Sequence, residues 1–266
     1  DCEVCHIDRY YPGGEFIEAE ETYKWQILWV MTAIAVLIFL IGMLNTISLW
    51  RLGKAKSLHG PIRWGPVIKA FITEVIFEKR ILKTSFIRWS VFFGISMGFI
   101  FLLLPYISYW IFRLSSGLDF LEPSFSQLSL DFLMDLFSTL IMIGVFLAIV
   151  RRYVVKAPQM ENLTQDSWAV LLIFLIVVSG FLLEGLRCAT LPASRELSFA
   201  FMGSIIGACL RPFDQPWTVY HFYTWLFHAF ISLVFIAYIP FGKIRHFIAC
   251  AVSITATASD EANFTK

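Results

Sequence analysis

Charged side chains are scarce in this sequence: Asp, Glu, Lys and Arg make up 15% of its 266 residues, against 58% apolar. A soluble globular domain carries about 25% charged and about 45–50% apolar residues. The shortage therefore excludes an ordinary soluble domain and places the chain in a membrane. Cysteine is sparse as well. Five residues at scattered spacings do not make a disulfide framework, and Cys188, Cys209 and Cys250 read as small apolar fillers. There is no internal repeat and no pair of interrupted apolar segments, which argues against a transporter. The formal net charge of +1 decides nothing by itself, because in a membrane chain the distribution of charge matters; no nucleic-acid partner is expected.

What the chain does have is long apolar runs and aromatic residues, among them 27 Phe and 9 Trp, which suit lipid-facing surfaces and headgroup belts. Five stretches are long enough to cross about 30 Å of hydrocarbon as helices: Trp25 to Leu49, Trp89 to Phe112, Phe132 to Val150, Trp168 to Leu186, and Trp217 to about Phe241. The expected fold is an all-α membrane protein, a five-helix bundle. Lys and Arg set its orientation. Between the first two spans Arg51, Lys54, Lys56, Arg63, Lys69, Lys79, Arg80, Lys83 and Arg88 face only Glu74 and Glu78. Arg151, Arg152 and Lys156 follow the third span, and Lys243 and Arg245 the fifth. The N-terminus is thus expected outside and the C-terminus inside, in a multi-pass protein of the cytoplasmic membrane.

The chain then divides into an external segment 1–24, a transmembrane domain 25–250 and a cytoplasmic tail 251–266. Within the basic loop, residues 67–83 place Val67, Ile68, Phe71, Ile72, Val75, Ile76 and Leu82 near one helical face. That pattern predicts an amphipathic helix lying in the inner interface, as a lipid anchor and as a platform for a cytoplasmic partner.

The external segment opens with Cys2-Glu3-Val4-Cys5-His6. C-x-x-C-H is the attachment signature of a c-type haem: two thiols bond to the porphyrin and the adjoining imidazole is an axial ligand. The expected topology puts it on the side where such haem is attached. The last span carries His221 and His228, and His246 follows eighteen residues after His228. On one straight helix that is five full turns, so both imidazoles would share a face about 27 Å apart in rise. An intramembrane His is a site candidate by default, and this pair suits two b haems stacked across the bilayer. A hydrogen-bonded His without a ligand role is the plainer alternative.

Three stretches carry a resemblance: GFLLEGLR (Gly180 to Arg187), W-x-x-H (Trp225 to His228) and A-Y-I-P-x-x-K-x-x-H (Ala237 to His246). In these the chain resembles the membrane cytochrome b subunits of heterodisulfide reductase and the DsrM-type subunit, both within the superfamily of the nitrate reductase gamma subunit. The resemblance implies a dihaem b subunit that exchanges electrons with menaquinone or another quinone. It implies a cytoplasmic iron–sulfur partner of the heterodisulfide-reductase type, with His228 ligating the outer haem b and His246 the inner one. The family's opposing ligands come from the second span, which here has no His; Phe92 stands at the expected position. Zero to two b haems are therefore expected, with Met97 or His59 as weak substitutes. C-x-x-C-H lies outside the family's usual pattern and adds one haem c, for which His221, or an external c-type cytochrome or further membrane subunit, is a candidate second ligand.

Glu184 and Arg187 lie one turn apart at the outer end of the fourth span. They read as an interfacial salt bridge, or as a quinone and proton site in which the carboxylate accepts a proton and the guanidinium polarises a carbonyl. Tyr220 and Tyr223 would line such a site or belong to an aromatic belt. The expectation is a non-autonomous redox subunit of a respiratory electron-transfer complex; the alternative is a structural membrane anchor that has lost its b haems.

Overall fold

The computed structural model of the chain describes residues 17–52, 61–116, 123–155, 164–190, 199–213, 215–242 and 244–264. All regular structure among them is helical. Helix α1 covers Ile17–Leu52. Helix α2, Trp64–Ala70, runs on into a π-helical turn, Phe71–Ile76, and α3 covers Lys79–Thr84. Helix α4 is Phe86–Ser116, and α5 is Pro123–Ile149, closed by a second π-helical turn, Val150–Val154. Helix α6 is Thr164–Thr190, α7 Phe201–Leu210, α8 Trp217–Tyr238 and α9 Ile244–Phe264.

Among the described residues five helices are long and apolar enough to span a membrane: Gln26–Ser48, Phe86–Pro105, Ser129–Val154, Ser167–Thr190 and Trp217–Tyr238. These are the five expected spans. Their hydrogen bonds are satisfied within each helix, as hydrocarbon demands. Ser85 starts α4 by accepting a bond from the Arg88 N–H at 3.4 Å, an N-cap at the membrane edge. Helices α4 and α5 pack where Gly94 and Gly98 meet Gly144 and Ile141; a Cβ on Gly98 would lie 2.3 Å from Ile141 Cγ1. This is small-residue packing of the kind that lets membrane helices approach closely. Beside it, Ile141, Val145, Ile173, Val177 and Phe181 form the buried centre, with Phe99 and Phe235 packed against them.

Three expectations change. The fifth span does not continue straight to His246. It ends at Tyr238, because Pro240 has no N–H to give and the N–H groups of Phe241 and Gly242 turn back to the Tyr238 carbonyl at 3.0 and 3.1 Å. His246 therefore sits on α9, and eighteen residues no longer measure rise along one axis. The single interfacial helix expected over 67–83 is broken into α2, a π-helical turn and α3, with the break at Glu78, which adopts a left-handed conformation (φ 48°). The last stretch is helix α9 rather than an extended tail. It docks on α2: the Arg63 N–H donates to Ser259 Oγ at 3.1 Å, and Asn263 Nδ2 donates to the Pro61 carbonyl at 3.2 Å.

The bundle thus has a basic end, where α2, α3, α9 and the second π-helical turn gather, and an opposite end closed by α7.

Candidate functional site

The opposite end of α6 carries an ion cluster. The Arg187 guanidinium donates through Nε to Glu184 Oε2 at 2.9 Å and through Nη2 to Glu184 Oε1. The same Nη2 reaches Asp131 Oδ2 on α5 at 3.0 Å. The i, i+3 pair is thus real and bidentate, and it is tied to a second helix. Each of the three side chains keeps about a quarter of its surface exposed, so the cluster lies at the membrane edge, reachable from outside the bundle.

A third carboxylate stands one turn further along α5. Asp135 is 4% exposed, and its Oδ2 accepts the backbone N–H groups of Met202 at 2.8 Å and Gly203 at 3.3 Å. These are first-turn donors of α7 that no intrahelical carbonyl satisfies, and the helix dipole favours an anion there. At its other end α7 is tied by Arg211, whose Nη2 donates to the Cys188 carbonyl at 2.9 Å. Glycines let α7 lie flush on α6: a Cβ on Gly203 would fall 2.4 Å from Glu184 Cγ, and one on Gly207 2.7 Å from Cys188 Cβ. The short helix is therefore a lid over Glu184. One guanidinium faces three carboxylates, so the cluster has groups that accept protons and a group that donates hydrogen bonds.

His228, on α8, packs against α6 roughly 7 Å of helical rise from Glu184, counted from Ser179. Its Nδ1 lies 2.9 Å from Ser179 Oγ, and its ring lies over Gly180, where a Cβ would come within 3.3 Å of Cε1. Ser179 has carbonyl acceptors of its own, Leu175 O at 2.7 Å and Ile176 O at 3.0 Å. With its one hydrogen given to a carbonyl, Ser179 Oγ accepts from Nδ1–H. That tautomer leaves the lone pair on Nε2, the arrangement of a metal-ligating His whose other nitrogen is held by a second group.

The opposing side is different. Phe92 of α4 is 42% exposed, Met97 is 1% exposed and fills the packing, and α4 contains no His. Between α4 and α8, Phe99 and Phe235 stack with ring centroids 5.7 Å apart. The side chains fit a haem ligated from one side, by His228, and do not fit a bis-His haem between α4 and α8. Among the described residues no group of three or more His, Cys, Asp or Glu could hold a metal ion.

The remaining expected residues are scattered. His221 is half-buried on α8, two turns from His228 towards the α7 end. Tyr220 and Tyr223 are exposed there. His246 lies on α9 at the basic end. Cys2, Cys5, His6 and His59 lie outside the described residues. Sequence reasoning missed Asp131, Asp135, Ser179 and α7. The signal for α7 was present as an apolar run with Gly203 and Gly207 at G-x-x-x-G spacing. Nothing in the sequence paired Asp131 with Arg187, 56 positions away.

No protein-family model matches the chain, and no solved structure matches it. Among characterised proteins it is similar to the E-type membrane component of the dihydromethanophenazine:CoB–CoM heterodisulfide reductase of Methanosarcina mazei, 29% identical over 87% of this chain and 93% of that one. The same component of the Methanosarcina acetivorans enzyme is 29% identical over 87% and 91%. The EtfAB:quinone oxidoreductase of Syntrophomonas wolfei is 24% identical over 90% of this chain, which spans 34% of that longer protein.

Proposed function

We propose that this chain is the membrane redox subunit of a quinone-linked electron-transfer complex, with the α7 end of the bundle as its quinone side. The similarity to two kinds of membrane electron-transfer protein supports this reading. The observation that carries it is the placement of His228, poised through Nδ1–H, beside the Glu184–Arg187–Asp131 cluster on the same stretch of α6.

A quinol at that cluster would lose two protons and two electrons. Glu184 and Asp131 are the acceptors for the protons, and both open to the membrane edge. Arg187 donates hydrogen bonds that orient the head-group oxygens and hold the two carboxylates when one is protonated. Ser179 fixes the His228 tautomer, and Gly180 sets the depth of its ring. His228 would hold a b haem from one side, His246 is the candidate for a second at the basic end, and Cys2, Cys5 and His6 are the donor set for a covalent haem c, with His221 as its candidate second ligand. When bound, haem supplies a one-electron carrier. The N-terminus is then external, and the basic end, with α2, α3 and α9, docks a cytoplasmic iron–sulfur subunit.

The test is a pyridine-haemochrome spectrum of the purified full chain. Extractable b-type haem that disappears in His228→Ala, with covalent haem that disappears in Cys2→Ser, is the expected result. Haem content unchanged in both variants would overturn the ligand assignments. The absence of His from α4 favours a second reading, a structural anchor that docks redox subunits; a preparation with neither kind of haem would decide for it.

A further inference from the structure

At the basic end, the break between the π-helical turn and α3 turns one acidic residue inward. Glu78 is, among the described residues other than glycine, the one with positive φ (φ 48°, ψ 42°). A residue with a Cβ is disfavoured there, and such strain persists where neighbours hold it. The neighbours are identifiable. The Trp89 indole N–H donates to the Phe77 carbonyl at 2.9 Å, and the Glu78 carbonyl accepts the Leu82 N–H at 3.0 Å to begin α3. The result is a carboxyl group driven against α4, in a residue only 2% exposed.

The hydrogen bonds around that carboxyl count protons. Ser96 Oγ lies 2.9 Å from Glu78 Oε1 and 2.7 Å from the Phe92 carbonyl. A serine hydroxyl has one hydrogen, and the two atoms beside it are both oxygens that accept. If Ser96 donates to the nearer carbonyl, the usual bond of a helical serine to residue i−4, the contact with Glu78 needs a hydrogen from Glu78. The second oxygen agrees: Oε2 is buried with no hydrogen-bond partner. An unpartnered carboxylate oxygen is far more costly to bury than the carbonyl oxygen of a neutral acid.

We infer that Glu78 is a proton-exchange site at the basic end of the bundle, carrying its proton on Oε1 towards Ser96 and exchanging it with water at the membrane edge. In the exchange the Oε1–H bond breaks, the proton passes to water, and the Ser96 hydroxyl turns from Phe92 to donate to the carboxylate left behind. No oxidant or reductant is needed. The site is at the opposite end from the Glu184 cluster and stands independently of the electron-transfer reading.

The charged residues of the surrounding elements are Glu74 on the π-helical turn, Lys79, Arg80 and Lys83 on α3, Arg88 on α4, and Arg151 and Arg152 after α5. Arg80 is turned to Glu74 at 3.3 Å. Burial is the main cause that pushes the Glu78 carboxyl up to about 7, opposed by the Ser96 hydrogen bond. The group therefore changes charge near neutral pH.

Infrared difference spectroscopy of the full chain in lipid, taken between acidic and alkaline pH, tests this. The expected result is a protonated-carboxyl C=O band that is lost with a midpoint near pH 7 and is missing in Glu78→Gln. In Ser96→Ala, which keeps the acid but removes its acceptor, that band moves to higher frequency. A Glu78→Gln spectrum identical to the parent's, or a Glu78 band absent already at acidic pH, would overturn the proposal. Should Glu78→Gln fail to fold, the Ser96→Ala band decides: no displacement overturns it.

Discussion

Arg187 bridges two helices, so its removal leaves Glu184 and Asp131 facing each other without a counter-charge. For a fully buried pair, loss of one partner costs about 3–5 kcal/mol. With about a quarter of each side chain exposed, Arg187→Ala is expected to destabilise by about 2 kcal/mol, read as a lower Tm in detergent. Arg187→Lys should keep the charge and lose the bidentate geometry. At Glu78 the folded carboxyl is raised from 4.5 to about 7, so between those values the folded state binds more proton than the unfolded. Stability is then highest below about pH 4.5, falls as pH rises through 7, and levels off above it; the span is roughly 3 kcal/mol. Tm measured across that range should fall in the parent chain and stay nearly flat in Glu78→Gln. Residue-level legibility was uneven. Glu184 and Arg187 could be paired from the sequence because i, i+3 neighbours meet on any helix. Asp131, Ser179 and the inward turn of Glu78 depend on contacts between helices or on a backbone break, which no local spacing encodes.

At the scale of elements, α7 is held by three devices: the Asp135 carboxylate at its N-terminus, Arg211 at its C-terminus, and glycines on the face against α6. Gly207→Leu should push the helix off α6, since even a Cβ there meets Cys188 Cβ at 2.7 Å. Overpacking of this kind costs about 1–3 kcal/mol. The expected outcome is a lower Tm together with faster reaction of buried Cys188 with a thiol reagent; an unchanged Cys188 rate would contradict α7 as a lid. The five spans were legible because long apolar runs between charged loops leave little choice in a bilayer. The end of α8 was not. Pro240 can kink a helix or end one, and here the Gly242 N–H and the close fit of Pro240 against Gly42 decide for an end. In the same way, the amphipathic pattern over 67–83 was visible, while its fracture into α2, a π-helical turn and α3 follows from the tertiary seat of Glu78.

For the whole molecule, the bundle separates two chemistries: bridged carboxylates under α7 at one end, and basic loops with the buried Glu78 at the other. Two exposed cysteines, Cys209 on α7 and Cys250 on α9, mark these ends and give a direct test of orientation. A membrane-impermeant maleimide added to intact cells should modify Cys209 and spare Cys250, with peptide mapping as the readout; the reverse pattern would invert the topology. The central claim, that the chain passes electrons between a quinol and haem, is tested most directly by adding menaquinol anaerobically to the oxidised full chain and following its visible spectrum. The account predicts that a haem α-band grows in and that it grows at least about tenfold more slowly in Glu184→Gln, as loss of a positioned proton acceptor requires. A haem that dithionite reduces but menaquinol does not, or a chain with no haem to reduce, would contradict it.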